Sequence, residues 1–122
     1  MQRAVVVLDA DATNCQDLCS LVEESDCRAY AQNSLSGMDA LLRKNKCMVV
    51  LIDIDSVPVN DRTIREITLK HPGVHFLCIS VERFHPELKE ALGCHIYACI
   101  NKPIDPGEVH YWLRSIFANG SE

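Results

Sequence analysis

The sequence predicts a doubly wound parallel α/β sheet of five strands, in the order 2-1-3-4-5, with helices on both faces. Three observations predict it. First, the chain contains short continuous apolar runs, Ala4–Leu8, Cys47–Ile52 and Val74–Ile79. Runs of this kind read as strands buried on both faces, the situation of a parallel sheet. Second, the stretches between them carry apolar residues at helical spacing behind cap-type residues. Third, the connections are short, which favours successive right-handed βαβ units. A chain of 122 residues suffices for one domain with one core. It reads as a core over 1–118 and a frayed tail over 119–122.

The elements follow in order. Ala4–Leu8 is the first strand and ends in Asp9. Asp11-Ala12-Thr13-Asn14 offers caps for a helix that turns Cys15, Leu18, Cys19, Leu21 and Val22 inward. Cys27–Ala31 is a short strand, and Ser34 or Ser36 caps a helix carrying Leu35, Met38, Leu41 and Leu42. Cys47–Ile52 is the third strand and ends in Asp53. A Pro58-containing loop over Ser56–Asp61 leads to a helix with Ile64, Ile67 and Leu69 inward, which stops at His71-Pro72-Gly73. Val74–Ile79 is a strand ending in Ser80. His85 and Pro86 start a short helix that runs to Leu92 and closes at Gly93. Ile96–Ile100 is the fifth strand, ending near Lys102-Pro103. Asp105-Pro106, a cap followed by proline at the first helical position, opens a last helix burying Val109, Trp112, Leu113, Ile116 and Phe117.

Composition excludes several classes. A net charge of -5 and scattered basic residues argue against a nucleic-acid footprint, since Arg43-Lys44-Asn45-Lys46 reads as a solvated helix end. No apolar stretch is long enough to cross a membrane, and the N-terminus shows no signal peptide. Seven cysteines, an odd number without a Cys-x-x-Cys pair, read as structural thiols of a reducing cytoplasm. Cys15 and Cys19 share one helix face. The five histidines show no ligand spacing.

Four strands end in polar groups: Asp9, Asp53, Ser80 and, just past the fifth, Lys102. Ligands of open α/β sheets bind at the carboxyl ends of the strands, near the switch in strand order. With strands one, three, four and five adjacent, these four side chains converge on one crevice.

Val7-Leu8-Asp9-Ala10-Asp11, Leu51-Ile52-Asp53-Ile54-Asp55, Cys78-Ile79-Ser80-Val81 and Asn101-Lys102-Pro103-Ile104 occur in the order of the motifs of response-regulator receiver domains. Over essentially its whole length the chain resembles that family, which has a flavodoxin-like fold. The resemblance implies a signalling module rather than an enzyme, with Asp53 as phospho-acceptor for a histidine kinase or phosphotransfer protein. It implies Mg²⁺ held by Asp9, Asp53 and the backbone carbonyl of Asp55, with Lys102 as the paired cation and Ser80 as the phosphoryl hydrogen-bond donor. It also implies a cis Lys102–Pro103 bond. The implied interaction face is the fourth helix, fifth strand and last helix, with Lys89, Glu90 and Arg114 on its surface. That face would serve a homodimer, an output domain or a partner protein. The residue types suit the chemistry: a carboxylate can form an acyl phosphate, and a hard divalent cation neutralises the developing charge.

The chain also departs from the family. Ala10 stands where a second acid is expected, and Asp11 would substitute only if its loop shifts. The segment after Asp53 is one residue longer and lacks a glycine. Cys99 occupies the position of the family's aromatic switch residue, with Tyr97 two residues earlier and on the same face by strand alternation. The spacing from Gly93 to Lys102 is also longer than usual. A degenerate receiver that keeps the fold as an interaction module therefore stands beside the phosphorylated one. Asp9-Ala10-Asp11-Ala12-Thr13 also fits a haloacid-dehalogenase-like phosphatase motif, with Asp9 as nucleophile and Asp11 as general acid.

Overall fold

The computed structural model describes residues 3–82 and 96–120. Its elements are β1 (Arg3–Leu8), α1 (Ala12–Glu23), β2 (Cys27–Gln32), α2 (Met38–Asn45), β3 (Val49–Asp53), α3 (Asp61–Lys70), β4 (His75–Ser80), β5 (Ile96–Asn101) and α4 (Pro106–Gly120). The helix expected over Pro86–Leu92, with Gly93, Lys89 and Glu90, lies outside the described residues. The last helix runs on to Gly120, into the stretch expected to fray.

The five strands form one sheet in the order β2-β1-β3-β4-β5, with every pair parallel. β3 is buried at all five positions, as its continuous apolar run requires. Its alternating side chains feed two cores. Val50 and Ile52 join Met38, Leu42, Ile64 and Phe76 on one face. Val49 and Leu51 join Leu18, Val22, Val109 and Leu113 on the other. Helices α2 and α3 thus cover one face, and α1 and α4 the other. Trp112, expected in the core, is only partly buried there and donates its indole N–H to Glu108.

Three expectations need correction. Helix α2 has neither Ser34 nor Ser36 as its cap. Gly37 occupies the N-cap with φ 81°, in the left-handed region where a side chain would be strained, and makes no side-chain cap. Leu69 is 73% exposed rather than inward. It follows the fully buried Ile64 by five residues, which turns it roughly 140° around the helix. Tyr97 and Cys99 do not share a face. The β4–β5 register passes from Phe76↔Ile96 to Leu77↔Ala98, so Tyr97 is an extra, bulged residue. The bulge inverts the alternation: Tyr97 packs against the α1/α4 core and Cys99 against the α2/α3 core.

The six described cysteines are free thiols. Burial pushes Cys47 up to about 11 and Cys19 up to about 12, so neither is a ready thiolate at neutral pH. On the far side of the sheet, the His71 ring ties the end of α3 to Asp39 of α2, Nε2 to Oδ1 at 2.6 Å. That hydrogen bond holds the Asp39 carboxyl below its ordinary range. A depressed carboxyl stabilises the fold above its unfolded pKa and loses that contribution as pH falls through the folded value. In His71→Ala the Asp39 titration, followed by carboxyl-carbon NMR, is expected to move back up toward the ordinary aspartate range.

Candidate functional site

The site is built at the carboxyl edge of the sheet, where backbone pairing brings four strand ends together. Asp9 directly follows β1, and its N–H donates to the Gln32 carbonyl of β2. Asp53 ends β3 opposite Ile79, Ser80 ends β4 opposite Asn101, and the Lys102 N–H donates to the Ser80 carbonyl. Asp9, Asp53 and Ser80 are the three buried polar residues among those described, at 0%, 3% and 4% exposure. Burying such groups at this edge is unfavourable unless they are paired. Lys102 supplies the pairing for Asp53: its Nζ lies 2.8 Å from Asp53 Oδ2 and 3.1 Å from Asp55 Oδ2. The Lys102–Pro103 bond is cis, as expected.

The Asp53 Oδ1 atom accepts from the Asp55 N–H at 3.0 Å and the Ser56 N–H at 3.3 Å. These bonds fold the segment after β3 back over the strand end. Ile54, Val57 and Val59, each 5% exposed, pin it to the core. Asn60 then caps α3 through Thr63 N–H at 3.0 Å. Asp9 Oδ1 accepts from the Asp11 N–H at 2.9 Å and the Ser56 hydroxyl at 3.0 Å. Asp9 Oδ2 is buried with no hydrogen-bond partner among the described residues. Burial pushes the Asp9 carboxyl up, the Asp11 and Ser56 hydrogen bonds oppose this, and the nearby Asp53 charge adds to the rise.

The Asp55 side chain takes an unexpected place. Its Oδ1 accepts from the Ser80 hydroxyl at 2.8 Å, and its Oδ2 from the Val81 N–H at 3.0 Å. Partial burial raises its carboxyl pKa, but the Ser80, Val81 and Lys102 contacts outweigh this and hold it below its ordinary value. Burial likewise pulls the Lys102 ammonium down, and the hydrogen bonds to Asp53 and Asp55 overcome it, so its pKa is raised.

The structure therefore brings together Asp9, Asp53, Asp55, Ser80 and Lys102. Asp11 is turned elsewhere. Its exposed Oδ1 caps α1 by accepting from Thr13 and Asn14 N–H groups at 2.9 and 3.1 Å. The Asp9–Asp11 pair of the phosphatase reading is thereby split between the crevice and the helix cap. Ala10 is exposed and contributes only its N–H, donated to Ser56 Oγ at 3.1 Å. Sequence reasoning missed Ser56 and Asn33, whose Nδ2 donates to the Asp9 carbonyl at 2.9 Å. It also missed the role of the Asp55 carboxylate, although the Asp53-Ile54-Asp55 spacing was a signal for it. No sequence pattern marks Ser56.

A cleft of about 310 Å³ opens beside these groups, bordered by Asp9, Asn14, Asp17, Asp53, Lys102 and Pro103. Among the described residues no cluster of three or more acidic, histidine or cysteine side chains is arranged to hold a metal. Asp9 and Asp53 do fit a hard cation that keeps most of its waters, for which one or two carboxylates suffice. The partnerless Asp9 Oδ2 is the acceptor such a cation would use. The arrangement can neutralise a buried carboxylate and offer donors to an anion beside it.

Fold and site together define a class: a doubly wound α/β domain with an acid–lysine crevice at the carboxyl edge of its sheet. Solved structures of response-regulator receiver domains share this fold. A signal receiver domain of an HD domain-containing protein from Pseudomonas fluorescens Pf-5 matches with TM-score 0.83 at 15% identity, over 98% of this chain and 90% of that one. A two-component response regulator from Clostridium difficile matches with TM-score 0.82 at 15% identity, over 99% and 100%. A putative pilus assembly protein from Burkholderia thailandensis E264 matches with TM-score 0.75 at 17% identity, over 96% and 99%. Neither a family model nor a curated protein matches the sequence. No helix among the described residues is long and apolar enough to cross a membrane.

Proposed function

We propose that the chain is a cytoplasmic two-component receiver that accepts a phosphoryl group on Asp53 from a histidine kinase or phosphotransfer protein and switches a protein-binding face. The observation that carries this reading is the Lys102 ammonium 2.8 Å from Asp53 Oδ2, in a crevice that Ser80 also enters. An Asp53 carboxylate oxygen attacks phosphorus, the P–N bond of the donor phosphohistidine breaks, and its electron pair leaves on the imidazole nitrogen. Lys102 holds the Asp53 carboxylate in place and then follows the charge onto the phosphoryl oxygens as a point cation. The Ser80 hydroxyl donates to one of those oxygens. Mg²⁺, held by Asp9, Asp53 and the Asp55 backbone carbonyl, supplies further charge neutralisation when bound.

The switching surface includes β5 and α4, where Arg114 and Tyr111 are exposed. A homodimer, an output domain or a partner protein would dock there. The test is incubation with acetyl phosphate and Mg²⁺ followed by intact mass. A gain of about 80 Da, one phosphoryl group, is expected in the wild type and absent in Asp53→Asn. An adduct that survives Asp53→Asn rejects the assignment.

A second reading is a degenerate receiver that acts only as an interaction module. Ala10, which withholds a second acid from the cation site, favours it. No adduct from acetyl phosphate or phosphoramidate, with or without Mg²⁺, would support it.

A further inference from the structure

We infer that the Asp55 carboxylate is a built-in occupant of the anion cradle at this site, so that the segment after β4 is already tied to the β3 side of the crevice without a phosphoryl group. The inference rests on the receiver reading for what the cradle is for, and on geometry for what fills it. Three donors from two strand ends converge on Asp55. The Ser80 hydroxyl reaches Oδ1 at 2.8 Å, and the Val81 N–H and Lys102 Nζ reach Oδ2 at 3.0 and 3.1 Å. The Ser80 hydroxyl is the donor in this bond, because a carboxylate has no proton to give, and its Oγ also accepts from the Glu82 N–H at 3.0 Å. Residues 80, 81 and 82 are thereby tied, directly or through one hydroxyl, to a single carboxylate on the β3 side.

The carboxylate is itself anchored. The Asp55 N–H donates to Asp53 Oδ1 at 3.0 Å, so Asp55 and the acceptor share both a backbone hydrogen bond and a lysine. An oxyanion on Asp53 would need the same hydroxyl and ammonium. Charge-assisted donors of this kind bind whichever anion is nearer and better aimed, and here that anion belongs to the chain. A phosphoryl group arriving on Asp53 therefore has to displace Asp55 from at least part of the cradle. In this protein phosphorylation exchanges one anion for another around Ser80, rather than recruiting Ser80 from a distance.

The test uses the full chain and Asp55→Ala, which keeps the backbone carbonyl proposed as a cation ligand. Amide hydrogen exchange of Val81 and Glu82 is read by NMR, and Asp53 labelling by acetyl phosphate with Mg²⁺ is read by intact mass. The expected result is exchange at both amides faster by about tenfold, the loss of a charge-assisted hydrogen bond, with other strand amides unchanged. Labelling of Asp53 is expected to speed up by about fivefold or more once the competitor is gone. Asp55→Asn, of the same size, is expected to change both in the same direction by less, and it stands in if the alanine variant fails to fold. Unchanged exchange at Val81 and Glu82, or slower labelling in the variants, overturns the inference. If neither wild type nor variants label, the acceptor role of Asp53 fails, while the exchange rates still decide whether Asp55 fills the cradle.

Discussion

Lys102→Met is expected to reduce Asp53 labelling by about a hundredfold or more and to destabilise the fold by about 2–3 kcal/mol. Methionine keeps an unbranched side chain, one atom shorter, and removes the charge. The Asp53 side chain is 4% exposed and that of Asp55 28%, and Lys102 is the cation paired with both. Removing it leaves two carboxylates in one crevice beside a third, Asp9, which is wholly buried. Breaking a fully buried pair costs about 3–5 kcal/mol. The figure here is smaller because Lys102 is itself 28% exposed and water can reach the site. Urea titration at neutral pH measures the stability term, and the acetyl phosphate assay measures the other. Labelling that persists at the wild-type rate would remove Lys102 from the chemistry and leave it a structural counter-ion.

Phe76→Ala is expected to cost about 3–5 kcal/mol, the usual penalty for deleting a buried aromatic and leaving a cavity. Phe76 is 0% exposed, is the second residue of β4, pairs with Val50 on one side and Ile96 on the other, and belongs to the core beneath α2 and α3. A domain of this size has about 5–15 kcal/mol to lose, so the urea midpoint should fall by about 1 M or more. Leu69→Ala is the internal comparison. At 73% exposure it should stay within about 0.5 kcal/mol of wild type. A large effect at Leu69 would mean that something covers α3 in solution.

Strand order and the four strand-end side chains were legible because they depend on few things. An apolar run identifies a buried strand, the polar residue just past it lies at the crevice, and doubly wound sheets adopt only a few common strand orders. Asp9, Asp53, Ser80 and Lys102 all follow from that. What was not legible depends on local backbone turns. Asp55 reaches Ser80 only because two N–H groups fold back onto Asp53 Oδ1. The Asp53-Ile54-Asp55 spacing allows that fold-back, since aspartate readily accepts from the N–H two residues on, but does not show which donors Asp55 then meets. Asp11 looked like a spare acid, but a helix N-terminus with unsatisfied N–H groups competes for it and wins. Gly37 displaced the two serines as the start of α2 because the chain enters the helix with positive φ. Leu69 is apolar but lies five residues past Ile64, a spacing that places it off the buried face of α3.

The bulge at Tyr97 has a consequence for anyone comparing this chain with others. On the Lys102 side of it, counting back from the lysine gives the correct face of the sheet. On the other side the same count gives the wrong face. A residue-by-residue correspondence drawn without a gap therefore equates a side chain packed beneath α3 with one packed beneath α4. Chimaeras and transplanted signalling mutations taken from a domain lacking this insertion need their crossover placed at or after Ala98. Upstream of that point, a substitution meant for one side of the sheet would be installed on the other.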